Sequence, residues 1–257
     1  MVKRRFEENV RVSYSVTEIV KSIDDIRHLV VREALRLLGL KSHLEIVSVG
    51  DVPAETGLGS SGSFTVGLLH ALHAFKDETP PRQRLADEAC RLEMEILREP
   101  CGVQDSYVAA FGGFICLDIA RDGRVNVSPL RMPDDAVREL ENNLLFFYTG
   151  IKRSASLVLQ DQGKSIENDG KALDAMHSIK EIGLMVKHAL ERGNLTEFGK
   201  LQHEHWMAKK CTSQQIANGP IDRWYTKALK SGAIGGKLMG AGGGVSSCSI
   251  VKMAGTG

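Results

Sequence analysis

The chain has 257 residues and a mass of 28.1 kDa, room for one large domain or two ordinary ones. Hydrophobic residues make up 42% and charged residues 25%, the balance of a soluble globular protein. Thirty-three Lys and Arg against 32 Asp and Glu leave a formal charge of +1, which argues against nucleic-acid binding through a strongly basic overall surface, though a local patch stays open.

No run approaches the about 18 apolar residues of a membrane-spanning helix. The opening MVKRRFEENVRVSY has basic residues but no apolar core after them, so no secretory signal is expected. Five cysteines, at 90, 101, 116, 211 and 248, are widely spaced without a CxxC pair. They read as buried thiols of a reducing cytoplasm, not as a disulfide framework or a zinc site.

Alternation over NVRVSY (9–14) predicts a strand. Ile26, Leu29, Val30, Ala34 and Leu37 keep helical spacing, with Gly39 as the stop. A short β-type run covers Leu44–Val49. PAETGLGSSGS (53–63) is a glycine- and serine-rich loop, and Phe64, Leu68, Leu72 and Phe75 continue as a helix. Another helix is predicted over 83–98, ended by Pro100-Cys101-Gly102. Phe114–Ile119 and Arg124–Val127 read as a hairpin around Asp122-Gly123. A polar stretch at 132–142 precedes an apolar strand, Leu144–Tyr148, and the domain boundary is placed there, giving parts 1–141 and 142–257. The second part is mostly helical (153–162, 166–192, 195–209, 214–231), with strand-like sequence on both sides of GGKLMGAGGGVSSCSIV. Strands and helices mix without regular alternation, which predicts an α+β fold.

The 26 glycines are bunched at two places. In the first, Gly57, Gly59 and Gly62 free the backbone so that its N–H groups can converge on one point, and the helix that follows adds its own unpaired N–H groups and positive dipole end. Ser60 and Ser61 add hydroxyls for a phosphate oxygen or a magnesium ion. This physics favours a phosphate cradle; a plain N-capping loop is the alternative. A Walker A loop is excluded, since no lysine lies between 43 and 75, and a nucleophile elbow is disfavoured because Ser63 stands where its last glycine belongs.

On helix 83–98, Glu93 shares a stripe with Ala86, Ala89, Cys90 and Leu97, so it faces inward, where a carboxylate usually needs a cation. Asp105 follows in CGVQDSYVAAFGG, among glycines that allow close approach. One carboxylate for magnesium and one for a substrate hydroxyl are the minimum for a phosphotransferase. The alternatives are a structural ion pair at Glu93 and a helix cap at Asp105. His203 and His205, one residue apart on a helix, face different ways and make poor metal partners, and Trp206 and Trp224 read as packing residues.

At these motifs the sequence resembles the GHMP kinases. The superfamily's Pro-x3-Gly-Leu-Gly-Ser-Ser loop is matched by Pro53 to Ser61, and its late glycine motif by Lys237-Leu-Met-Gly-Ala-Gly-Gly-Gly244. CGVQDSYVAAFGGF, TGIKRSAS (149–156) and Gly232-Ala-Ile-Gly-Gly-Lys-Leu are most similar to sugar kinases acting on D-glycero-D-manno-heptose 7-phosphate. The resemblance implies a two-domain α+β fold, with an N-terminal part like domain 2 of ribosomal protein S5 and a ferredoxin-like C-terminal part. It implies ATP and Mg2+ as cofactors and a sugar or sugar-phosphate acceptor, with neither nucleic acid nor membrane as partner. Pro53, Gly57, Leu58, Gly59, Ser60, Ser61, Gly62 and Ser63 would bind the ATP phosphates, with Ser61 and Glu93 near the metal. Asp105 would act on the accepting hydroxyl. Gly240, Ala241, Gly242 and Gly243 would close over phosphates or acceptor, and Arg153 would hold a phosphate already on the substrate, the alternative being a surface arginine at a helix start.

Against the family pattern, about 70 residues of an N-terminal strand region and part of the C-terminal tail are expected to be missing. Val245 stands where many relatives have glycine. A catalytically impaired nucleotide-binding remnant is therefore the rival reading, and a serine hydrolase built on Ser61 is a weaker third, lacking the elbow glycine and a histidine partner.

Overall fold

The computed structural model of the chain describes residues 1–51, 57–151, 155–213, 215–216, 219–240 and 248–252. The first fifty residues form a four-stranded sheet. Its strands are β1 (Val2–Arg4), β2 (Val10–Ser13), β3 (Thr17–Val20) and β4 (Leu44–Val47), in the order β1-β4-β2-β3. β2 and β3 form an antiparallel hairpin with Val10 opposite Val20, while β4 runs parallel to β2 with Leu44 opposite Val10. A parallel pair needs a crossover, supplied here by α1 (Leu29–Leu37). Gly39, at φ +68°, follows its end in the left-handed conformation that suits glycine.

Val10, Val12, Leu44 and Ile46 are buried and pack with Val31, Ala34 and Leu35 of α1 and with Leu68, Leu69 and Leu72 of α2 (Ser60–Phe75). Leu85 and Ala89 of α3 (Arg82–Cys90), and Leu92, complete this core. The helix widens from Arg91 to Ile96 into a π-helical turn, and α4 (Gln104–Phe111) follows. The fully buried His73 bonds Glu78 at 2.7 Å and Glu88 at 2.6 Å, fixing the end of α2 to α3.

The described residues up to Gly113 form one compact unit, except that Gly57 and Leu58 group with a second unit running from Phe114 onward. The second unit begins with the hairpin β5 (Ile115–Ile119) and β6 (Val125–Pro129). α5 (Asp134–Asn143) leads directly into β7 (Leu144–Phe147). The helices α6 (Ala155–Asn168), α7 (Gly170–Glu191), α8 (Leu195–Lys210) and α9 (Gly219–Lys230) precede β8 (Ala233–Leu238) and β9 (Cys248–Lys252). The sheet β7-β9-β8 is antiparallel throughout. Its core is divided among small clusters, one around Trp206, Ile216, Tyr225 and Leu238, another around Leu140, Leu190 and Leu195.

The α+β class is as expected, and several local expectations change. The polar stretch 132–142 is α5, an amphipathic helix that buries Ala136, Leu140 and Asn143; the expected boundary after residue 141 lies inside it. β1 and β3 are strands that the sequence pattern did not mark. Trp206 is 1% exposed, as a packing residue should be, but Trp224 is 49% exposed. Among the described residues Cys90, Cys101, Cys116 and Cys211 are free thiols; the first three are only partly buried and Cys211 is exposed, where buried thiols were expected. No described helix is long and apolar enough to cross a membrane.

Leu69 is fully buried at the centre of the first unit's core. Leu69→Ala should lower stability by about 2–5 kcal/mol, read as a shifted denaturant midpoint at constant slope. A loss below about 1 kcal/mol, less than any leucine truncation in a closed core, would show that the site collapses freely.

Candidate active site

The helix α2 begins inside the glycine–serine run, earlier than the apolar pattern indicated. Gly57 (φ +73°) and Gly59 (φ +71°) hold left-handed backbone, and Ser60, Ser61, Gly62 and Ser63 form the first helical turn. A helix's first N–H groups have no intrahelical partner. Here the N-cap is Gly59, which has no side chain to cover them. They remain available to an anion, at the positive end of the dipole.

Glu93 lies in the π-helical turn and is only 6% exposed. The inward orientation read from its stripe is correct, but the cation expected beside it is not there among the described residues. Three hydroxyls satisfy it instead. Ser61 Oγ donates to Oε1 at 2.5 Å, Thr65 Oγ1 to the same oxygen at 3.1 Å, and Ser106 Oγ to Oε2 at 3.2 Å. Ser61 and Thr65 stand four apart and share one face of α2. Thr65 and Ser106 are fully buried, whereas Ser61 is exposed and links the carboxylate to the surface.

Asp105 is in the first turn of α4, whose N-cap is Val103, so the reading of Asp105 as a cap is not supported. The start of α4 is pressed against the start of α2. A Cβ on Gly62 would come within 2.9 Å of the Ser106 amide nitrogen and 3.0 Å of the Asp105 carbonyl carbon. A Cβ on Gly59 would come within 3.3 Å of Asp105 Cγ. Gly62 is thus required by contact with the Asp105 turn, while Gly59 is favoured by its left-handed backbone and lies close to the Asp105 side chain. Asp105 itself is exposed and makes no hydrogen bond to the described residues. Crowding by surrounding protein atoms, and then the Glu93 charge, push its carboxyl above the usual range.

In the second unit, Gly240 (φ +70°) follows β8, and a Cβ there would lie 2.9 Å from Gly57 Cα, so residues of the two glycine motifs touch. Its carbonyl accepts a hydrogen bond from Lys209 Nζ at 2.6 Å. His203 Nδ1 is 2.7 Å from the Tyr225 hydroxyl, and the described residues hold no cluster of three His, Cys, Asp or Glu suited to a metal. Pro53, Arg153, Ala241, Gly242, Gly243 and Val245 lie outside the described residues. Leu58, half-exposed between the two loop glycines, has no bond to the site residues. Thr65, Ser106 and Lys209 are the participants that sequence reasoning missed. Only the helical offset of Thr65 from Ser61 hinted at any of them.

Residues 24–113 match the family described as the GHMP kinases N terminal domain, and residues 186–252 match the GHMP kinases C terminal family. The D-glycero-alpha-D-manno-heptose 7-phosphate kinase of Campylobacter jejuni is 34% identical over 194 residues, covering 76% of this chain and 57% of that protein. The galactokinase of Pyrococcus furiosus is 27% identical over 252 residues, 87% of this chain and 67% of that protein. A solved D-glycero-D-manno-heptose 1-phosphate kinase from Bacteriodes thetaiotaomicron shares the fold, with a TM-score of 0.76 at 23% identity over 98% of this chain and 75% of that one. The chain therefore spans only 57% of the length of the heptose 7-phosphate kinase it matches. With both family halves present in order over more than half of the sequence, on a fold that these kinases share, the chain belongs to the GHMP kinases.

Proposed function

We propose that this chain carries the phosphate loop and catalytic carboxylate of an ATP- and Mg2+-dependent sugar kinase that transfers the γ-phosphoryl group to a sugar or sugar-phosphate hydroxyl. The acceptor we favour is D-glycero-D-manno-heptose 7-phosphate or a related sugar, because the relative at 34% identity acts on it. One observation carries the reading: Asp105 and the Ser61–Glu93 pair converge on the uncapped start of α2. Free thiols among the described residues agree with a cytoplasmic setting.

Phosphoryl transfer asks little covalent chemistry of a protein; positioning and charge neutralisation dominate. The first-turn amides of α2 and the Ser60, Ser61 and Ser63 hydroxyls receive the nucleotide's phosphate oxygens. Hard oxygen donors suit Mg2+, so Ser61 Oγ and the Glu93 carboxylate are the residues that would hold it. Held there, such an ion would spread the charge of the transferred group. Asp105 accepts the proton of the attacking hydroxyl, or holds that proton so that the oxygen lone pair faces phosphorus. Its raised proton affinity favours that task, and the lack of a partner among the described residues leaves its oxygens to the substrate. Gly240 to Gly243, and Arg153 for a phosphate the acceptor already bears, keep the roles that the resemblance to the family implies.

An ADP-release screen over hexoses, heptoses and their phosphates tests the reading, run on this chain and on one extended upstream. ATP binding without turnover by either form would replace it with a nucleotide-binding remnant.

Gly62→Ala should perturb both elements of the site, because the new methyl meets backbone of Ser106 and Asp105, which cannot swing aside. A stability loss of about 1–3 kcal/mol with a fall in kcat is expected, checked by melting and ADP release. Glu93→Gln keeps shape and removes charge, so Mg2+-dependent ATP affinity should fall about tenfold or more by calorimetry. Unchanged affinity across magnesium concentrations would leave Glu93 a structural role only.

Asp105→Asn should lower kcat by about 10²–10⁴ with little change in nucleotide affinity. Its effect on stability has the opposite sign. A carboxyl raised above its unfolded value contributes stability below the unfolded value and loses it as pH rises through the folded one. At neutral pH the ionised Asp105 therefore weakens the fold, and the asparagine variant should melt at or above the wild-type temperature. A variant that keeps kcat within about threefold would remove Asp105 from the chemistry.

A further inference from the structure

The second unit contains a basic cluster that the reading above does not use. Gly235 of β8 lies directly on α8, since a Cβ there would collide with the Gly199 carbonyl oxygen and meet the His203 amide nitrogen. Side chains two apart share a face of a strand, so Lys237 stands on that same face of β8, toward α8. Lys209 stands at the end of α8, tied to the Gly240 carbonyl. His205, one turn earlier, lies within electrostatic reach of both lysines, and its Nδ1 is buried without a hydrogen-bond partner among the described residues.

No carboxylate of the described residues pairs with Lys209 or Lys237, and Lys237 makes no hydrogen bond there. The neighbours are otherwise engaged: Lys210 pairs with Asp222 at 3.3 Å, and His203 with Tyr225. Half-buried ammonium groups without a counter-charge are unfavourable in an empty site, and they suit one that receives an anion. Burial, and then the charge of Lys237, bring Lys209 down to about 8; burial lowers Lys237 as well. Burial and the two lysine charges take His205 to about 3, so its ring is neutral and a neutral donor is at hand.

We infer that Lys209 and Lys237, with His205 beside them, form a subsite for a phosphate monoester at the Gly240 turn. Two mobile ammonium groups and an imidazole N–H are a donor set for a dianionic tetrahedral oxyanion, which takes several hydrogen bonds from different directions. The ligand is the phosphate of the acceptor or the terminal phosphoryl of the nucleotide. Only that choice rests on the kinase reading; binding of a phosphate does not.

The probe is inorganic phosphate, followed by calorimetry and melting on the intact chain. Wild type should bind it and gain melting temperature, while Lys237→Met and Lys209→Met should bind at least about tenfold more weakly and gain little. Lys237→Arg should retain binding, and so should Lys210→Met, which removes a nearby cation already paired. In phosphate-free buffer Lys237→Met should melt no lower than wild type, because an uncompensated charge has been removed. A hexose 6-phosphate and a non-hydrolysable ATP analogue then identify the source. Weakening by Lys237→Met confined to the sugar phosphate places the acceptor there, and weakening confined to the analogue places the nucleotide there. Equal phosphate affinity in wild type and both methionine variants, or no binding of any of the three probes by wild type, overturns the subsite. A chain that binds phosphate through these lysines but releases no ADP keeps the subsite and loses the kinase.

Discussion

The first unit is organised by a buried carboxylate without a neutralising cation among the described residues. Removing Glu93 from water is tolerable because both its oxygens are hydrogen-bonded, and the donors come from two different helices. Ser61 and Thr65 fix the rotation of α2, and Ser106 fixes α4 against it. Hydroxyl dipoles satisfy a carboxylate but leave its negative charge in place. Asp105, the next carboxyl along, has its proton affinity raised first by desolvation among protein atoms and then by that charge. The group that assembles the site therefore also tunes it.

The parts legible in the sequence were those with a local cause. Glycines 57, 59 and 62 before an apolar helix signalled a backbone cradle, and small neighbours around Glu93 signalled that it faces inward. Two glycine motifs in order pointed to the family. What pattern could not show depends on contacts between distant segments. Gly62 looks like a loop glycine until the Asp105 turn is found pressed on it. The hydroxyl partners of Glu93 come from positions 61, 65 and 106, an arrangement no spacing rule encodes. The π-helical turn at Arg91–Ile96 has no residue signature, yet it carries Glu93. α5 shows in the sequence only as a polar stretch because few of its positions are apolar and most of the remainder are charged or polar.

A formal charge of +1 conceals two opposite local situations. In the first unit, carboxylates stand without ammonium partners at the start of a helix dipole. In the second, ammonium groups stand without carboxylates beside a glycine turn. Elsewhere the described charges lie mostly at the surface, some of them paired, as Arg36 with Asp24 or Arg84 with Glu88. Exposed pairs of this kind contribute little to stability, so their presence is unremarkable. It is the unpaired charges that mark a place where a charged ligand completes the balance.

The same positions are those where the chain departs from what stability alone would select. Gly57, Gly59 and Gly240 occupy left-handed backbone, Gly62 leaves a side chain's volume to another segment, and Asp105 keeps a carboxyl with no hydrogen-bond partner among the described residues. Glycine raises the entropy of the unfolded chain, and an ionised carboxyl with raised proton affinity weakens the folded state at neutral pH. A fold selected only for packing would fill and neutralise such positions. The hydrophobic core of the first unit offsets these terms: β2, β4, α1, α2 and α3 contribute a continuous set of fully buried aliphatic side chains directly behind the site. Rigid support on the core side is what allows the ligand side to remain open, polar and unsatisfied until a ligand binds.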